Sequence, residues 1–311
     1  MNPAIPPPLE RAVFITGPTS AGKSSVAMEL ARRHNGEIVC GDAFQLYREF
    51  PVLSAQPSDT DRAAVPHHLY GAVPCAEEMD AARFATLALA AIARIAADGR
   101  IAFVVGGSGL YLQALTAGLP DLPAIEPAIR QAVRKLPPEE MLARLADLDP
   151  ASVASIDTRN PRRIIRRLEL CLQSGRPASE LLAPRTPPPG LRGVVLIPDR
   201  SDLHRRIAAD VASRLSRGAI DEVRAAAGTA GETARQILGW REISEHLAGQ
   251  SSLAECHEKL TVATRQYAKR QLTWFRGKST FPSIELSPVT TAPIERIARL
   301  AGLSSASGVE S

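Results

Sequence analysis

The sequence has few of the residues that would mark a secreted or membrane-spanning protein. It holds only four cysteines in 311 residues, far apart and without C-x-x-C spacing: Cys40, Cys75, Cys171 and Cys256. This disfavours a disulfide framework and predicts buried free thiols in a reducing cytosol. The longest apolar stretch, residues 84–97, is interrupted by Arg94 and is too short to span a bilayer. We therefore expect no membrane association and a cytoplasmic location.

The composition is that of an ordinary soluble globular protein, with 45% hydrophobic and 23% charged residues. A chain of this length can bury a full core and suggests one large domain or two smaller ones. Residues 1–10 are rich in proline and lack the apolar segment of a signal peptide, so we expect a short disordered tail there. We expect a monomer.

One octet carries the strongest chemical signal in the chain. It fits the phosphate-binding pattern G-x-x-x-x-G-K-S/T and reads Gly17-Pro18-Thr19-Ser20-Ala21-Gly22-Lys23-Ser24. A β-branched apolar run, residues 12–16, precedes it, and a helix is predicted from Ser25 to Arg33. The alternative, a surface glycine turn that happens to precede a lysine, does not explain why strand and helix stand in the right places.

Such a loop holds phosphate oxygens with backbone N–H groups at a helix N-terminus, where the helix dipole favours negative charge. Lys23 would reach the bridging or terminal oxygens, and the Ser24 hydroxyl would ligate Mg²⁺. The octet by itself leaves open which polyphosphate or diphosphate is bound.

Alternating strands and helices with glycine turns at strand ends predict an α/β fold with a parallel, P-loop NTPase-like sheet flanked by helices. Over residues 118–189 the pattern changes to helices separated by prolines, which predicts an all-helical insertion. We assign residues 11–117 and 190–285 to the catalytic core, and 286–311 to a short helix with a disordered tail. Predicted strands are 12–16, 37–40, 101–105 and 193–197.

Ligands of open α/β sheets bind at the carboxyl ends of the strands. Two polar residues besides the phosphate loop fall there, Asp42 and Ser108. The carboxylate could ligate Mg²⁺ through water, act as a general base, or cap the following turn. Position alone does not decide between these roles.

The net charge is only +4, but the excess of basic residues is local. Residues 161–167 carry four positive charges and residues 261–278 carry five, in both cases without an acid. The rest of the chain has 28 basic against 33 acidic residues. This distribution is typical of a nucleic-acid footprint on an otherwise acidic protein.

Helical geometry strengthens that interpretation of the second cluster. At 100° per residue, Arg265, Lys269 and Arg276 fall within about 40° of one another. The interleaved aromatic residues Tyr267, Trp274 and Phe275 could stack on splayed bases. The alternative is a solvated charged face with the aromatic rings in the core. In the first cluster, Arg162/Arg166 and Arg163/Arg167 are like-charge i, i+4 pairs, which are unfavourable unless an anion lies between them.

Six motifs in order resemble the tRNA dimethylallyltransferases, also called tRNA isopentenyltransferases, over about residues 11–280. Besides the octet they are residues 42–47 (DAFQLY), 66–69 (PHHL), 105–111 (VGGSGLY), 238–242 (LGWRE) and 264–276 (TRQYAKRQLTWFR). The resemblance implies transfer of a dimethylallyl group from dimethylallyl diphosphate to N6 of adenosine 37 in the tRNA anticodon loop. The acceptor base must then leave the loop stack and enter a pocket.

The resemblance also implies roles for single residues. Asp42 would accept a proton from the attacking N6 amine, Ser108 would keep the hydrogen bond of the family's usual threonine, and Arg235 would contact the diphosphate. The tRNA-contacting positions implied are Asp42, Ala43, Phe44, Gln45, Arg130, Arg162, Arg163, Ile164, Ile165, Arg166, Trp240, Arg241, Arg265, Lys269, Arg270, Gln271, Trp274 and Arg276.

The sequence departs from the family pattern at a few positions. Ala43 replaces a usual serine, Trp240 replaces a common tyrosine, and residues 52–56 lack the family's usual lysine. Three other functions remain open from the residues. A small-metabolite kinase would share the loop and Mg²⁺ but leaves the cationic clusters unexplained, and a non-catalytic RNA-binding protein leaves the loop unexplained. An enzyme that prenylates free adenine nucleotides would need no anticodon-sized basic surface.

Overall fold

The structure, a computed structural model, describes residues 5–183, 185–287 and 293–303. Within them the strands are β1 Ala12–Thr16, β2 Gly36–Cys40, β3 His67–His68, β4 Ile101–Gly106, β5 Arg192–Pro198 and β6 Ser283–Leu286. The helices are α1 Lys23–Arg33, α2 Asp59–Ala64, α3 Ala81–Ala97, α4 Gly109–Ala117, α5 Pro127–Arg134, α6 Pro138–Leu148, α7 Pro150–Ser155, α8 Pro161–Ser174, α9 Ala178–Leu181, α10 Arg200–Ser216, α11 Ala219–Ala226, α12 Trp240–Leu247, α13 Leu253–Lys278 and α14 Ile294–Leu300.

The six strands form one parallel sheet in the order β3-β2-β4-β1-β5-β6. β1 lies near the middle, where Ile15 pairs with Val105 on one side and Val194 on the other. Every residue of β1 and β2 is buried. This explains why these strands are continuous apolar or β-branched runs, since helices cover both faces of a parallel sheet. The predicted α/β class is confirmed.

Two strands at the edges of the sheet were not predicted. β3 has only two residues, both partly exposed, and β6 alternates exposed and buried side chains over four residues. Segments this short show too little periodicity to distinguish a strand from a loop. They form because the neighbouring strands β2 and β5 offer unpaired backbone groups.

The chain divides into two units, Met1–Ala117 with Pro187–Ser311, and Gly118–Thr186. The second unit corresponds to the helical insertion expected over residues 118–189 and ends three residues earlier. Its described residues form α5 to α9 around a core of its own, with Val133, Leu145 and Leu168 fully buried.

Part of the N-terminal segment is more ordered than the sequence predicted. Pro7–Arg11 forms a 3-10 turn whose Leu9 is buried, so the expectation of disorder over residues 1–10 is wrong there. Proline starts this turn, and Leu9 packs into the main core. Helix α14 confirms the short C-terminal helix, whereas the tail expected at 304–311 lies outside the described residues.

Two sequence expectations about the whole chain also have structural counterparts. All four cysteines are buried and free, as predicted. Within the described ranges, no helix combines the length and the apolar character needed to cross a bilayer.

Candidate active site

The phosphate loop connects β1 to α1, as the octet predicted. Gly17 has φ +141°, and a Cβ there would lie 2.5 Å from the carbonyl oxygen of Leu196, so only glycine fits. Helix α1 begins at Lys23, which leaves the N–H groups of Lys23 and Ser24 without an intrahelical acceptor. These groups form an anion-binding helix N-terminus.

The first half of the loop does not behave as expected. The Thr19 N–H donates to Oε1 of Gln271 at 2.8 Å, and the Ala21 N–H donates to the carbonyl of Pro18 at 3.3 Å. Pro18 itself has no N–H. The N–H groups of Thr19 and Ala21 are therefore already paired within the protein, whereas those of Lys23 and Ser24, at the helical end of the loop, are left for phosphate.

A cleft of about 450 Å³ opens over the loop. Besides the loop it is lined by charged and aromatic side chains that include Asp42, Phe44, Arg206, Asp210, Arg214 and Tyr267. The Lys23 ammonium donates to the carbonyl of Pro18 at 2.6 Å. Burial lowers the pKa of Lys23 to about 8, and the nearby Asp42 carboxylate partly offsets this. The cleft thus holds the Lys23 ammonium and the Asp42 carboxylate near each other.

Asp42 follows β2 directly, in the position that the sequence indicated. Its Oδ1 accepts the N–H of Phe44 at 3.0 Å, so the carboxylate does cap the turn and also lines the cleft. The loop after β4 comes very close: a Cβ on Gly106 would lie 2.0 Å from the carbonyl oxygen of Gly41. Ser108 Oγ accepts the N–H of Ala43 at 2.9 Å. The structure therefore brings Asp42 and Ser108 together, through the close approach of Gly106 to Gly41 and the hydrogen bond from the Ala43 N–H to the Ser108 hydroxyl.

Tyr267 completes this arrangement from α13. Its hydroxyl lies close enough to the Ser108 side chain to interact with it, and its ring lies 6.1 Å from that of Phe44. Burial raises the pKa of Tyr267 well above its ordinary value, so the phenol stays neutral. The path from Tyr267 through Ser108 to the Ala43 N–H holds the segment that carries Asp42.

Helix α10 contributes three charged residues to the cleft that the sequence analysis missed, Arg206, Asp210 and Arg214. Asp210 accepts a hydrogen bond from Ser20 Oγ at 2.5 Å, which fixes the helix against the phosphate loop. The three residues are spaced four apart, so a helical plot would have placed them on one face. That spacing was available in the sequence but carries no recognised motif.

The structure does not place Arg235, the expected diphosphate contact, in the cleft. This side chain is exposed and does not line the cleft. Its guanidinium donates to the carbonyls of Ala230 at 2.9 Å and Ala227 at 3.0 Å, just beyond the end of α11, and lies over the ring of Trp240. Carbonyls left without partners at a helix end attract a cation, which accounts for this position.

The cationic face predicted on α13 is confirmed. Arg265, Lys269 and Arg276 are all exposed and line a second groove of about 830 Å³ together with His204. Phe275 lies on a different face of the helix and is buried in the core, so its predicted stacking on bases is wrong.

Four other positions of the expected tRNA surface need correction. Gln271 is buried and donates from Nε2 to the carbonyl of Gly107 at 2.9 Å, so it braces the site from within. Trp240 is buried edge-on against Phe50. The Trp274 ring packs on Gly109, which leaves less of it for a base.

The fourth correction lies in the helical unit, where Ile164 is buried in the core. The neighbouring Ile165 is half-buried against the same core. The basic positions are exposed, as expected, namely Arg130, Arg162, Arg163 and Arg166. Part of the like-charge repulsion is relieved within the unit, since Arg166 lies 3.9 Å from Glu169 and Arg167 donates to Ser152.

Of the remaining expected contacts, some line the cleft and others are exposed. Phe44 and Gln45 line it, and Nε2 of Gln45 donates to the carbonyls of Ser54 and Ala55. Arg241 is exposed and paired with Glu242, and the Arg270 guanidinium lies over the Tyr267 ring.

The residues present fit a magnesium ion held mainly by substrate. In the part of the chain that the structure describes, no three His, Cys, Asp or Glu side chains cluster to form a protein-only metal site. Ser24 lines the cleft beside the helix N-terminus. Mg²⁺ commonly keeps several waters and binds through substrate phosphates with few protein ligands. The Ser24 hydroxyl is the group that would hold it.

Comparisons with known proteins agree with the resemblance. The sequence matches the family models for IPP transferase over residues 45–278 and isopentenyl transferase over residues 10–66. The tRNA dimethylallyltransferases of Akkermansia muciniphila and Rhizobium etli are each 40% identical to it, over 276 and 281 residues. These alignments cover 89% and 87% of this chain, and 94% and 95% of the relatives.

Solved structures confirm the fold class. The full-length tRNA isopentenylpyrophosphate transferase of Bacillus halodurans is 30% identical, with a TM-score of 0.67 over 94% of this chain and 95% of that one. A eukaryotic dimethylallyltransferase acting on tRNA is 25% identical, with a TM-score of 0.77 over 93% of this chain and 78% of that one.

Proposed function

The chain belongs to the IPP transferase family, and on that basis we propose that it transfers a dimethylallyl group from dimethylallyl diphosphate to N6 of adenosine 37 in tRNA, releasing diphosphate. The observation that carries the proposal is one cleft holding both a diphosphate-binding helix N-terminus and Asp42. The first group receives the leaving group, and the second receives the proton of the nucleophile.

The bond changes follow from this arrangement. The bond between C1 of the dimethylallyl group and the diphosphate oxygen breaks, and its electron pair stays on the diphosphate. The N6 lone pair forms the new C–N bond, and Asp42 accepts the proton that N6 loses. Lys23 and the N–H groups of Lys23 and Ser24 stabilise the charge that grows on the leaving oxygen. Magnesium held by Ser24 would neutralise part of the same charge.

The second groove favours tRNA over a free nucleotide as the acceptor. Its row of exposed cations, Arg265, Lys269 and Arg276, extends along α13, which also carries Tyr267 in the cleft. A polyanion bound along that row would be stabilised by charges that a mononucleotide does not reach. A small-metabolite kinase has no use for this surface.

The test is a transfer assay with purified protein, Mg²⁺, dimethylallyl diphosphate and an unmodified anticodon stem-loop. We expect the mass of the RNA to increase by one five-carbon group, and no product with AMP as acceptor. Transfer from ATP to a small acceptor, with none to RNA, would refute the proposal. Efficient prenylation of AMP would instead favour an enzyme acting on free nucleotides.

Asp42→Asn tests the role of the carboxylate. The amide oxygen keeps an acceptor for the Phe44 N–H but cannot take a proton from N6, so we expect turnover to fall by about 10²–10⁴. Binding of tRNA should stay within about twofold of the unaltered protein because the turn is preserved. If tRNA affinity falls as far as turnover does, Asp42 is a structural cap and not the base.

Three expectations from the sequence stay predictions. They are a cytoplasmic location, a monomeric state and dependence on Mg²⁺.

A further inference from the structure

The position of Arg235 outside the cleft leaves the diphosphate without the guanidinium partner that the resemblance implied. Helix α10 offers an alternative, since Arg206, Asp210 and Arg214 face the same cleft from three successive turns. Lys23 lies in that cleft as well. A diphosphate ester carries more negative charge than one ammonium group compensates, so further cations in the cleft would help to bind it.

Asp210 fixes where the two arginines lie. Its carboxylate accepts the Ser20 hydroxyl at 2.5 Å, and Ser20 has the left-handed backbone conformation, φ +58°. Such a conformation is unfavourable for a residue other than glycine and needs support from its surroundings. The contact therefore stabilises the phosphate loop and at the same time sets the register of α10 against it. This register places Arg206 and Arg214 one helical turn to either side of Asp210.

Arg214 has donors to spare. A guanidinium has five N–H donors, and among the described residues Arg214 donates one hydrogen bond, from Nη1 to the carbonyl of Leu53 at 3.2 Å. Burial lowers the pKa of Arg214, while Asp210 and Asp42 favour its charged form. Arg214 is thus a half-buried guanidinium with a single carbonyl acceptor, and it has donors left for an arriving anion.

Arg206 is placed differently. Its Nε pairs with Asp202 at 2.8 Å, and its Nη1 lies 3.4 Å from the point where a Cβ on Gly22 would be. This guanidinium therefore lies beside the helical end of the phosphate loop, partly exposed and already paired. It can add charge at the edge of the site, whereas Arg214 lies within it.

We propose that Arg214 binds the diphosphate opposite Lys23, in the role that the resemblance assigned to Arg235, with Arg206 adding charge at the rim. A guanidinium suits this task because its planar donors can bind two phosphate oxygens at once. That the bound anion is a diphosphate rests on the proposed function. The position of the Arg214 guanidinium in the cleft does not depend on it.

The experiment is calorimetric titration of the full chain with inorganic diphosphate and Mg²⁺, comparing Arg214→Gln with the matched control Arg235→Gln. We expect Arg214→Gln to weaken diphosphate binding by about 10- to 100-fold, the typical effect of removing hydrogen bonds to a charged group. Arg235→Gln should bind within about twofold of the unaltered protein. Unchanged affinity in Arg214→Gln, or a greater loss in Arg235→Gln, would overturn the inference.

A second variant distinguishes diphosphate binding by Arg214 from a purely structural role of its hydrogen bond to Leu53. Arg214→Lys keeps a cation and one donor but not the planar fork, so its diphosphate affinity should lie between those of the unaltered protein and Arg214→Gln. Without diphosphate, the melting temperatures of the two Arg214 variants should be similar to that of the unaltered protein. A Lys variant that binds as weakly as the Gln variant and melts equally early would mean that Arg214 acts only through the fold.

The outcomes separate this inference from the proposed function, because the titration uses neither a prenyl group nor RNA. If the unaltered protein fails to prenylate RNA but binds diphosphate through Arg214, the function is wrong and the site stands. If prenylation occurs and Arg214→Gln binds diphosphate normally, the function stands and the site is wrong.

Discussion

Lys23 shows how a single side chain can serve ligand binding at a cost in stability. The protein holds this ammonium in a cleft with Asp42 as its nearest opposing charge, and burial lowers its pKa to about 8. Any depression of the pKa of a cation means that the folded state disfavours the charged form. A bound diphosphate reverses that preference. The charged Lys23 side chain is therefore unfavourable in the free protein and favourable once diphosphate is bound.

Lys23→Met should raise the melting temperature of the ligand-free protein at about pH 7, because no cation is then held out of water. The pKa of Lys23 is about 8 in the folded protein and 10.5 in the unfolded chain. The destabilising effect is thus complete below about pH 8 and is lost as the pH rises toward 10.5, so the advantage of methionine should shrink over that range.

Thermal melts at several pH values test this, with the exposed Lys278→Met as the control, which should show no such trend. The same Lys23 variant should lose diphosphate binding. A lower melting temperature for Lys23→Met at neutral pH, or a difference that does not change with pH, would contradict the argument.

Helix α13 serves different purposes on its different faces. One face, with Thr264, Ala268 and Phe275, packs into the protein, while an adjacent face carries the exposed cations. Gln271 lies on the buried face, where its amide accepts the N–H of Thr19 and donates to the carbonyl of Gly107. One side chain thereby joins the phosphate loop to the loop after β4. The helix that presents cations also sets the geometry of the cleft.

Gln271→Leu should destabilise the protein by about 1–3 kcal/mol, because it leaves the buried carbonyl of Gly107 without this partner and also removes the acceptor of the part-buried Thr19 N–H. Urea denaturation measures this directly, and diphosphate affinity should fall as the Thr19 segment loses its anchor. Gln266→Leu is the matched control, the same change at an exposed position of the same helix. Similar effects of the two substitutions would show that the amide of Gln271 is not a brace.

At the scale of the whole molecule, charge is segregated into two basic segments on an otherwise acidic chain. Residues 161–167 lie on α8 in the helical unit and residues 261–278 lie on α13 in the sheet unit. Like charges that are this concentrated repel each other, and the protein relieves the repulsion only in part, as with Arg166 and Glu169. A polyanion would relieve the rest.

Binding of an anticodon stem-loop should therefore weaken steeply with salt. Replacing Arg265, Lys269 and Arg276 by glutamine should reduce the slope of log affinity against log salt by about 0.7–0.9 for each phosphate that the protein no longer neutralises. Arg224→Gln, which removes an exposed arginine paired with Asp221, should leave the slope unchanged. Equal slopes for the triple variant and the control would exclude this face from RNA binding.

The sequence by itself determined the parts of this protein that depend on neighbouring residues. The octet, the strand before it and the helix after it belong to one continuous segment, and Gly17 has a local backbone conformation, φ +141°, that favours glycine. The position of Asp42 at a strand end and the cationic face of α13 also follow from local periodicity. The family resemblance added roles, and the structure corrected those of Arg235, Trp240, Ile164 and Gln271.

Tertiary structure alone decided which side chains meet. Thr19 and Gln271 are 252 residues apart, and Ser20 and Asp210 are 190 apart, yet both contacts set the shape of the phosphate site. Arg235 turns to the carbonyls after α11, while Arg214 reaches the cleft. Residue type tells what a side chain can bind, but its partner depends on how distant elements pack, and that packing is a property of the whole fold.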